Sequence, residues 1–389
     1  MEYIPNQPVS FSTSPTYYNA LTDCANDEVP YNQLVQNTDQ TQFQISIAPC
    51  PDAVDIMPEP TFDSDDGWDL PTNWGVSDNK LCATTTSNIA ETTVIFNEGY
   101  YRIKLVVESW DNTQTGILEV RLDGVNLQEI NSAGTYYVYG FSPVGGSTLE
   151  LVPTALIGVC FTEISAYLMS LPFDVKIFNN DEPPTEVATI DYVTNPEYFT
   201  FAGDTLTVTI DWAALGVVNQ CAFLMLINSC DGSQLISNRF KIGDYSEMCT
   251  LLINACNNNN SFGFVFIGSD FSPRLRVEAK LRQSTFASET SIFEDSGGTK
   301  GAYYFARRKS KSLSIAIQPE YIHDFLSTLK GYDTFYIGGV PYFVDDDEYS
   351  PVYGDNDNFA TVIMSVSEKT QNVKNILCTD NVTVCNLAE

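Results

Sequence analysis

YYRIKLVVESWDNTQTGILEVRLDGVNLQEINSAGTYYVYG, residues 100–140, repeats its apolar residues at every second position. Tyr101, Ile103, Leu105 and Val107 form one such run, and Leu118, Val120 and Leu122 form another. Period two is the spacing of a strand with one face buried. Asp123-Gly124 ends the second run with a two-residue turn signal, since both central positions of a tight hairpin take positive φ. Outward from here, TTVIFNEG breaks at Asn97-Glu98-Gly99, and STLELVPT and VCFTEISAYLM add further short runs. Strands about every 8–12 residues, with turn residues between them, predict a two-sheet sandwich of jelly-roll type over 61–172.

The rest of the chain extends a mainly β, multi-domain pattern of jelly-roll or β-sandwich domains plus a small C-terminal α+β domain. Residues 1–60 are rich in Asn, Gln, Thr, Pro and acids and contain no Lys or Arg, which predicts an extended acidic N-terminal arm ordered by a partner. Pro183-Pro184 stiffens the exit from the sandwich. Over 185–295, DTLTVTIDW alternates, CAFLMLINSC suits a buried strand and Asp231-Gly232 turns the chain, so a second β-rich domain is expected. Over 300–375, Pro319 opens a helix with Ile322, Phe325, Leu326 and Leu329 on its apolar face, and Gly331 stops it. His323 and Asp324 are expected off that face. Gly338-Gly339 then turns a hairpin, and residues 376–389 are left as a tail.

A chain of 389 residues with 50 Asp and Glu against 19 Lys and Arg has a net charge of −31. That balance opposes nucleic acid and anionic membrane surfaces, and favours a basic protein partner or bound cations. No apolar run approaches the ~18 residues of a spanning helix. Met1 is followed by neither a basic nor an apolar segment, so the chain is expected to stay in the compartment where it is made, with its ten Cys reduced and buried. None of those Cys forms a C-x-x-C, and with one His the pattern matches no structural zinc site; small hydrophobes within strands explain them better.

Chemistry-bearing residues are few. His323 is the single histidine, no nucleophile elbow accompanies it, and phosphate-binding loops are absent, so no catalytic residue is expected. Asp345, Asp347, Asp355 and Asp357 are candidate ligands for calcium, although without EF-hand spacing; a solvated acidic loop is the plainer explanation. Trp68, Trp74 and Trp110 form a candidate glycan platform, against the alternative that they fill the core. Arg307, Arg308 and Lys309, with Lys311, make a basic patch too short for a nucleic-acid footprint. It is matched here with Asp345, Asp346 and Asp347 of another copy as a candidate subunit interface.

FDSDDGWDLPTNWGVSDNKLC, followed by residues 100–140, resembles the carbohydrate-binding-module-like jelly rolls of phages and bacteria of the Bacteroidetes. LINSCDGSQLISNRFKIGDYSEMCTLLINACNNNNSFGFVF and PEYIHDFLSTLKGYDTFYIGGVPYFVDDDEYSP resemble structural tail proteins of crAss-like bacteriophages of Bacteroides. The likeness covers about residues 60–375 and lies in overall pattern, not in one motif. It implies a virion protein forming a homo-oligomeric ring in the portal-proximal tail, with portal and tail proteins as partners, no cofactor and no transferred catalytic residue. The alternative it implies is a glycan-binding tail component that meets a host surface polysaccharide through the jelly roll.

Overall fold

The structure, a computed structural model, describes residues 2–13, 33–57, 59–86, 88–111, 113, 116–143, 145–170, 172–181, 183–192, 194–294, 296–298, 300–345, 349–354 and 359–369. For residues 85–86, 172–173, 286–294, 300–309 and 317 only the backbone is described. The protein is mainly β, with one short α-helix among the described residues. It divides into two compact units: Ile47–Pro172 with Asn228–Gly232, and Glu2–Ser46 with Phe173–Ile227 and the chain from Ser233 onward.

The first unit is the sandwich. One five-stranded sheet runs, in order of pairing, Val125–Ile130, Leu118–Leu122, Leu149–Pro153, Ala90–Thr92 and Trp68–Asp69. The other runs Gly134–Ser142, Gly99–Trp110, Ile157–Leu168, Lys80–Thr86 and Trp74–Ser77. Period two works as expected: Tyr101, Ile103, Leu105, Val107, Leu118, Val120 and Leu122 all lie in one buried cluster with Phe96 and Phe161. Asp123 and Gly124 take φ of 53° and 71°, the turn that their side chains permit. Residues 47–60 belong to this unit. They run beside the Ile164–Ser170 stretch, with Ile56 N donating to Ala166 O, Ser170 N to Ala48 O and Ile164 N to Pro60 O.

The cysteine expectation is overturned. Cys82 and Cys160 sit at directly paired positions of neighbouring strands and form a disulfide, with Cα atoms 4.1 Å apart. Cys50 and Cys230 form another across 180 residues of chain, and Cys221 and Cys256 are also disulfide-bonded. Cys249 is free and exposed. Apolar strand positions suit a thiol, but two Cβ atoms held on adjacent strands also meet the geometry of a bond.

The second unit holds a four-stranded sheet, Glu2–Tyr3, Gln40–Ser46, Thr205–Asp211 and Phe199–Ala202, and a fourteen-stranded one. In the large sheet Gln33–Gln36 lies between Gln234–Gly243 and Arg274–Leu281. The described part of residues 1–60 is therefore not an extended arm but a source of internal strands. Its glutamines are buried instead of solvated. Gln44 Nε2 donates to Val265 O at 2.6 Å and its Oε1 accepts from Val265 N at 3.0 Å, while Gln42 Oε1 accepts from Ser272 N at 2.8 Å. On the opposite parity Phe43 and Ile45 are fully buried. Arg276 binds both Asp39 carboxylate oxygens, at 2.6 and 2.9 Å.

The blocks 185–295 and 300–375 share this sheet. Thr250–Cys256 pairs with Arg274–Leu281 on one side and with Thr334–Ile337 on the other. Ile253, Phe271 and Leu275 join Ile322, Phe325 and Phe335 in one core cluster. They are parts of one unit, where the sequence suggested two domains. The helix covers Glu320–Thr328, a 3-10 turn follows at Leu329–Gly331, and Gly338-Gly339 take φ of 56° and 79° as expected.

Candidate functional site

The three tryptophans of the sandwich do not form a platform. Trp68 and Trp74 are 7% and 8% exposed and belong to the buried cluster, and Trp110 packs against it half-buried. Trp74 Nε1 donates to Asn88 O at 2.8 Å. A ring that fills the core has no face left for a sugar, so the core alternative holds for Trp68 and Trp74.

The aromatics that do face outward are tyrosines. In the Gly134–Ser142 strand Val138 points into the core, so Tyr137 and Tyr139 stand on the outer face, opposite Lys104 and Arg102 of the neighbouring strand. On the far side of that strand Ser165 and Tyr167 pair with the same two residues. Tyr137 is 53% exposed, and the Arg102 guanidinium lies 5.7 Å from its ring centroid. Lys104 Nζ meets Glu163 at 2.6 Å; that bond, helped by Tyr137 and Tyr167, raises its pKa. Burial lifts the Asp55 carboxyl above its usual range, against hydrogen bonds from the Ala166 and Met57 amides and the Tyr167 hydroxyl. Three phenol rings, a guanidinium and an ion pair thus share one sheet face. The run YYVY already carried the signal in its parity, Tyr137 and Tyr139 being two residues apart.

The basic patch lies on an unusual element. Thr285–Glu294 pairs with the first half of the twenty-residue strand Lys300–Pro319, from Glu294↔Lys300 to Thr285↔Ser310. Among the described residues Thr285–Glu294 pairs with nothing else, and the long strand meets its other neighbours, Phe359–Glu368 and Arg274–Leu281, only from Ser310 onward. Arg307, Arg308 and Lys309 are on this two-stranded ribbon; their side chains lie outside the described residues. Lys311, just beyond it, bonds Glu368 at 2.7 Å and the Tyr342 hydroxyl at 3.0 Å.

Asp345 is tied to its own sheet, its carboxylate accepting from the Ser367 and Ser365 hydroxyls. Asp346, Asp347, Asp355 and Asp357 lie outside the described residues, so the calcium set and the acidic half of the interface rest on sequence. Among the described residues no group of three His, Cys, Asp or Glu is placed to hold a metal.

His323 is buried at 3% exposure on the same face as Ile322 and Phe325, not off it. A carbonyl can only accept, so Nε2–H donates to Ala360 O at 2.9 Å, and Nδ1 takes the Tyr349 hydroxyl at 2.6 Å. Burial lowers its pKa, offset by the Ala360 and Gln318 carbonyls and by Asp324 and Glu320. With both nitrogens engaged, His323 is a structural brace between the helix and two neighbouring segments.

No family model and no curated protein matches the chain. Among solved structures it is similar to the N-terminal CBM22-1–CBM22-2 tandem domain of Paenibacillus barcinonensis Xyn10C, at 11% identity and a TM-score of 0.24 over 84% of this chain and 100% of that one. So distant a likeness leaves the function to the residues themselves.

Proposed function

We propose that this chain is a structural protein that assembles with copies of itself, as the ring proteins of a phage tail do, and that it catalyses no reaction. Its place is then the virion, with the portal and other tail proteins as neighbours. The supporting observation is the ribbon of Thr285–Glu294 with the start of Lys300–Pro319. Two strands alone are marginal in water, and an open edge is a template for another chain. This ribbon carries Phe286, Ile292, Phe293, Tyr303, Tyr304 and Phe305, residues that ordinarily find a second layer. A neighbouring subunit supplies that layer.

The test is mass photometry on the intact chain and on one in which residues 286–309 are replaced by Asn-Gly between the directly paired Thr285 and Ser310. The intact chain should form closed oligomers and the shortened one should remain monomeric. An intact chain that stays monomeric at high concentration, or a shortened one that assembles normally, overturns the proposal.

A second function, glycan binding, is favoured by the outer face of Tyr137, Tyr139, Tyr167, Arg102 and Lys104. Phenol rings stack on the apolar faces of sugar rings while the cations reach hydroxyls and acid groups. Saturable binding of a host polysaccharide, lost in Tyr137→Ala with unchanged thermal stability, is the outcome expected. Binding that survives both Tyr137→Ala and Tyr139→Ala would remove this face from consideration.

A further inference from the structure

The other sheet of the sandwich turns a different surface outward. Its inward residues are Leu118, Val120, Leu122, Leu149, Leu151 and Ala90, so alternation puts Glu119, Arg121, Glu150, Glu91 and Asp69 on the opposite face. The register sets like charges directly opposite one another: Glu119 faces Glu129, Glu150 faces Glu91, and Glu91 faces Asp69. Arg121 is the one cation among them, directly opposite Glu150 and with its Nε donating to Glu119 at 2.8 Å. Glu91 also accepts from the Thr148 hydroxyl at 2.6 Å. Five carboxylates against one guanidinium span the width of the sheet, with Asp69 and Glu129 exposed. Like charges at directly paired positions destabilise a sheet. Arg121 offsets part of that cost, but one cation stands against five carboxylates.

The matching charge lies on the ribbon. The strand Lys300–Pro319 holds Lys300, Arg307, Arg308, Lys309 and Lys311 and no acid, in a chain whose net charge is −31 with 19 basic residues in all. Four of those 19 lie on the ribbon half of the strand, Lys311 beyond it being bonded to Glu368, and make the ribbon the natural complement of an acidic sheet face. A basic strand in such an acidic protein has its own kind as the nearest abundant anion.

We propose that the basic ribbon strand of one copy docks on the acidic outer face of the sandwich in the next copy. This rests on the assembly role proposed above and names the surface that receives the ribbon. The contact is heterologous, ribbon to face, so it repeats head to tail and closes into a ring when the rotation allows. Charge complementarity chooses the register, and the ribbon's aromatic residues supply the apolar contact.

The experiment uses the full chain with the face neutralised as Asp69→Asn, Glu91→Gln, Glu119→Gln, Glu129→Gln and Glu150→Gln. Removing like-charge pairs should raise the melting temperature of the sandwich, while self-association measured by mass photometry weakens at least about tenfold and loses most of its salt dependence. A merely structural role for the carboxylates would lower stability and association together. A second pair of variants guards against misfolding: Arg307→Glu with Arg308→Glu on the ribbon, and Glu91→Lys with Glu150→Lys on the face. Each pair alone should block assembly, and the two pairs combined in one chain should restore it. Unchanged association of the neutralised chain overturns the docking surface. If shortening the ribbon still abolishes assembly in that case, the assembly role stands and only the receiving face is wrong.

Discussion

The sandwich and the second unit use the same kind of strand in opposite ways. In the sandwich, Leu118–Leu122 turns through Asp123-Gly124 straight into its partner Val125–Ile130, and Gly99–Trp110 finds Gly134–Ser142 a few tens of residues on. In the second unit Gln40–Ser46 pairs with Thr205–Asp211, and Gln33–Gln36 runs parallel to Phe240–Gly243, about two hundred residues away. Local pairing keeps loop closure short, whereas distant pairing has to overcome the entropy of a long loop before any contact forms. The two sheets of the first unit are thus written into contiguous sequence, and the second unit depends on chain that looks like a tail.

That contrast breaks most visibly if residues 2–46 are removed. The second unit then loses two strands from the four-stranded sheet and two from the large one, Gln33–Gln36 from its middle, and its cooperative transition should disappear in calorimetry while that of the sandwich survives. Loss of both transitions would make the units one cooperative body. A finer cut is to compare Phe43→Ala with Phe161→Ala, both fully buried, one in each unit. Each should cost about 3–5 kcal/mol, and each should lower only its own transition in a thermal scan.

The smallest expected effect is at alkaline pH. Burial pushes the Tyr332 and Tyr245 hydroxyls, both in the second unit, up to about 12. A phenol whose pKa is raised in the folded state contributes fully below the unfolded value near 10 and loses that contribution as pH rises towards 12. The second unit should therefore weaken by about 1–2 kcal/mol per tyrosine over that interval. Tyr332→Phe should flatten the slope, as read from urea midpoints at pH 9, 10 and 11. A slope unchanged in Tyr332→Phe would place the alkaline transition elsewhere.

The misreadings have physical causes. Gln40, Gln42 and Gln44 look solvated because glutamine usually is, yet each reaches a fixed partner: Gln40 accepts from Arg274 at 2.9 Å, Gln42 from Ser272 and Gln44 from Val265. Buried amides are stable only when their hydrogen bonds are met, and a sequence does not display the partner. Trp68, Trp74 and Trp110 were candidates for exposure because tryptophan serves core and binding face equally well. Tyr137 and Tyr139 were in plain view, but deciding that their parity faces outward required Val138 to be seen in the core. His323 sits beside residues of the helix's apolar stripe, and the carbonyl of Ala360 and the hydroxyl of Tyr349, 37 and 26 residues away, make its burial tolerable.

What the sequence determined by itself is the β character of the chain, the sandwich with its core-facing residues, and the positive-φ turns at Asp123-Gly124 and Gly338-Gly339. Those follow from side-chain period and backbone sterics, which act over a few residues. What only the tertiary structure decided is that residues 33–46 are internal strands, that two apparent domains share a sheet, that cysteines meet as disulfides, and that carboxylates line one sandwich face while tyrosines and cations line the other. Period two states that a strand has two faces. Which partner lies beside it, and which charge stands opposite, is set by register between segments far apart in the chain.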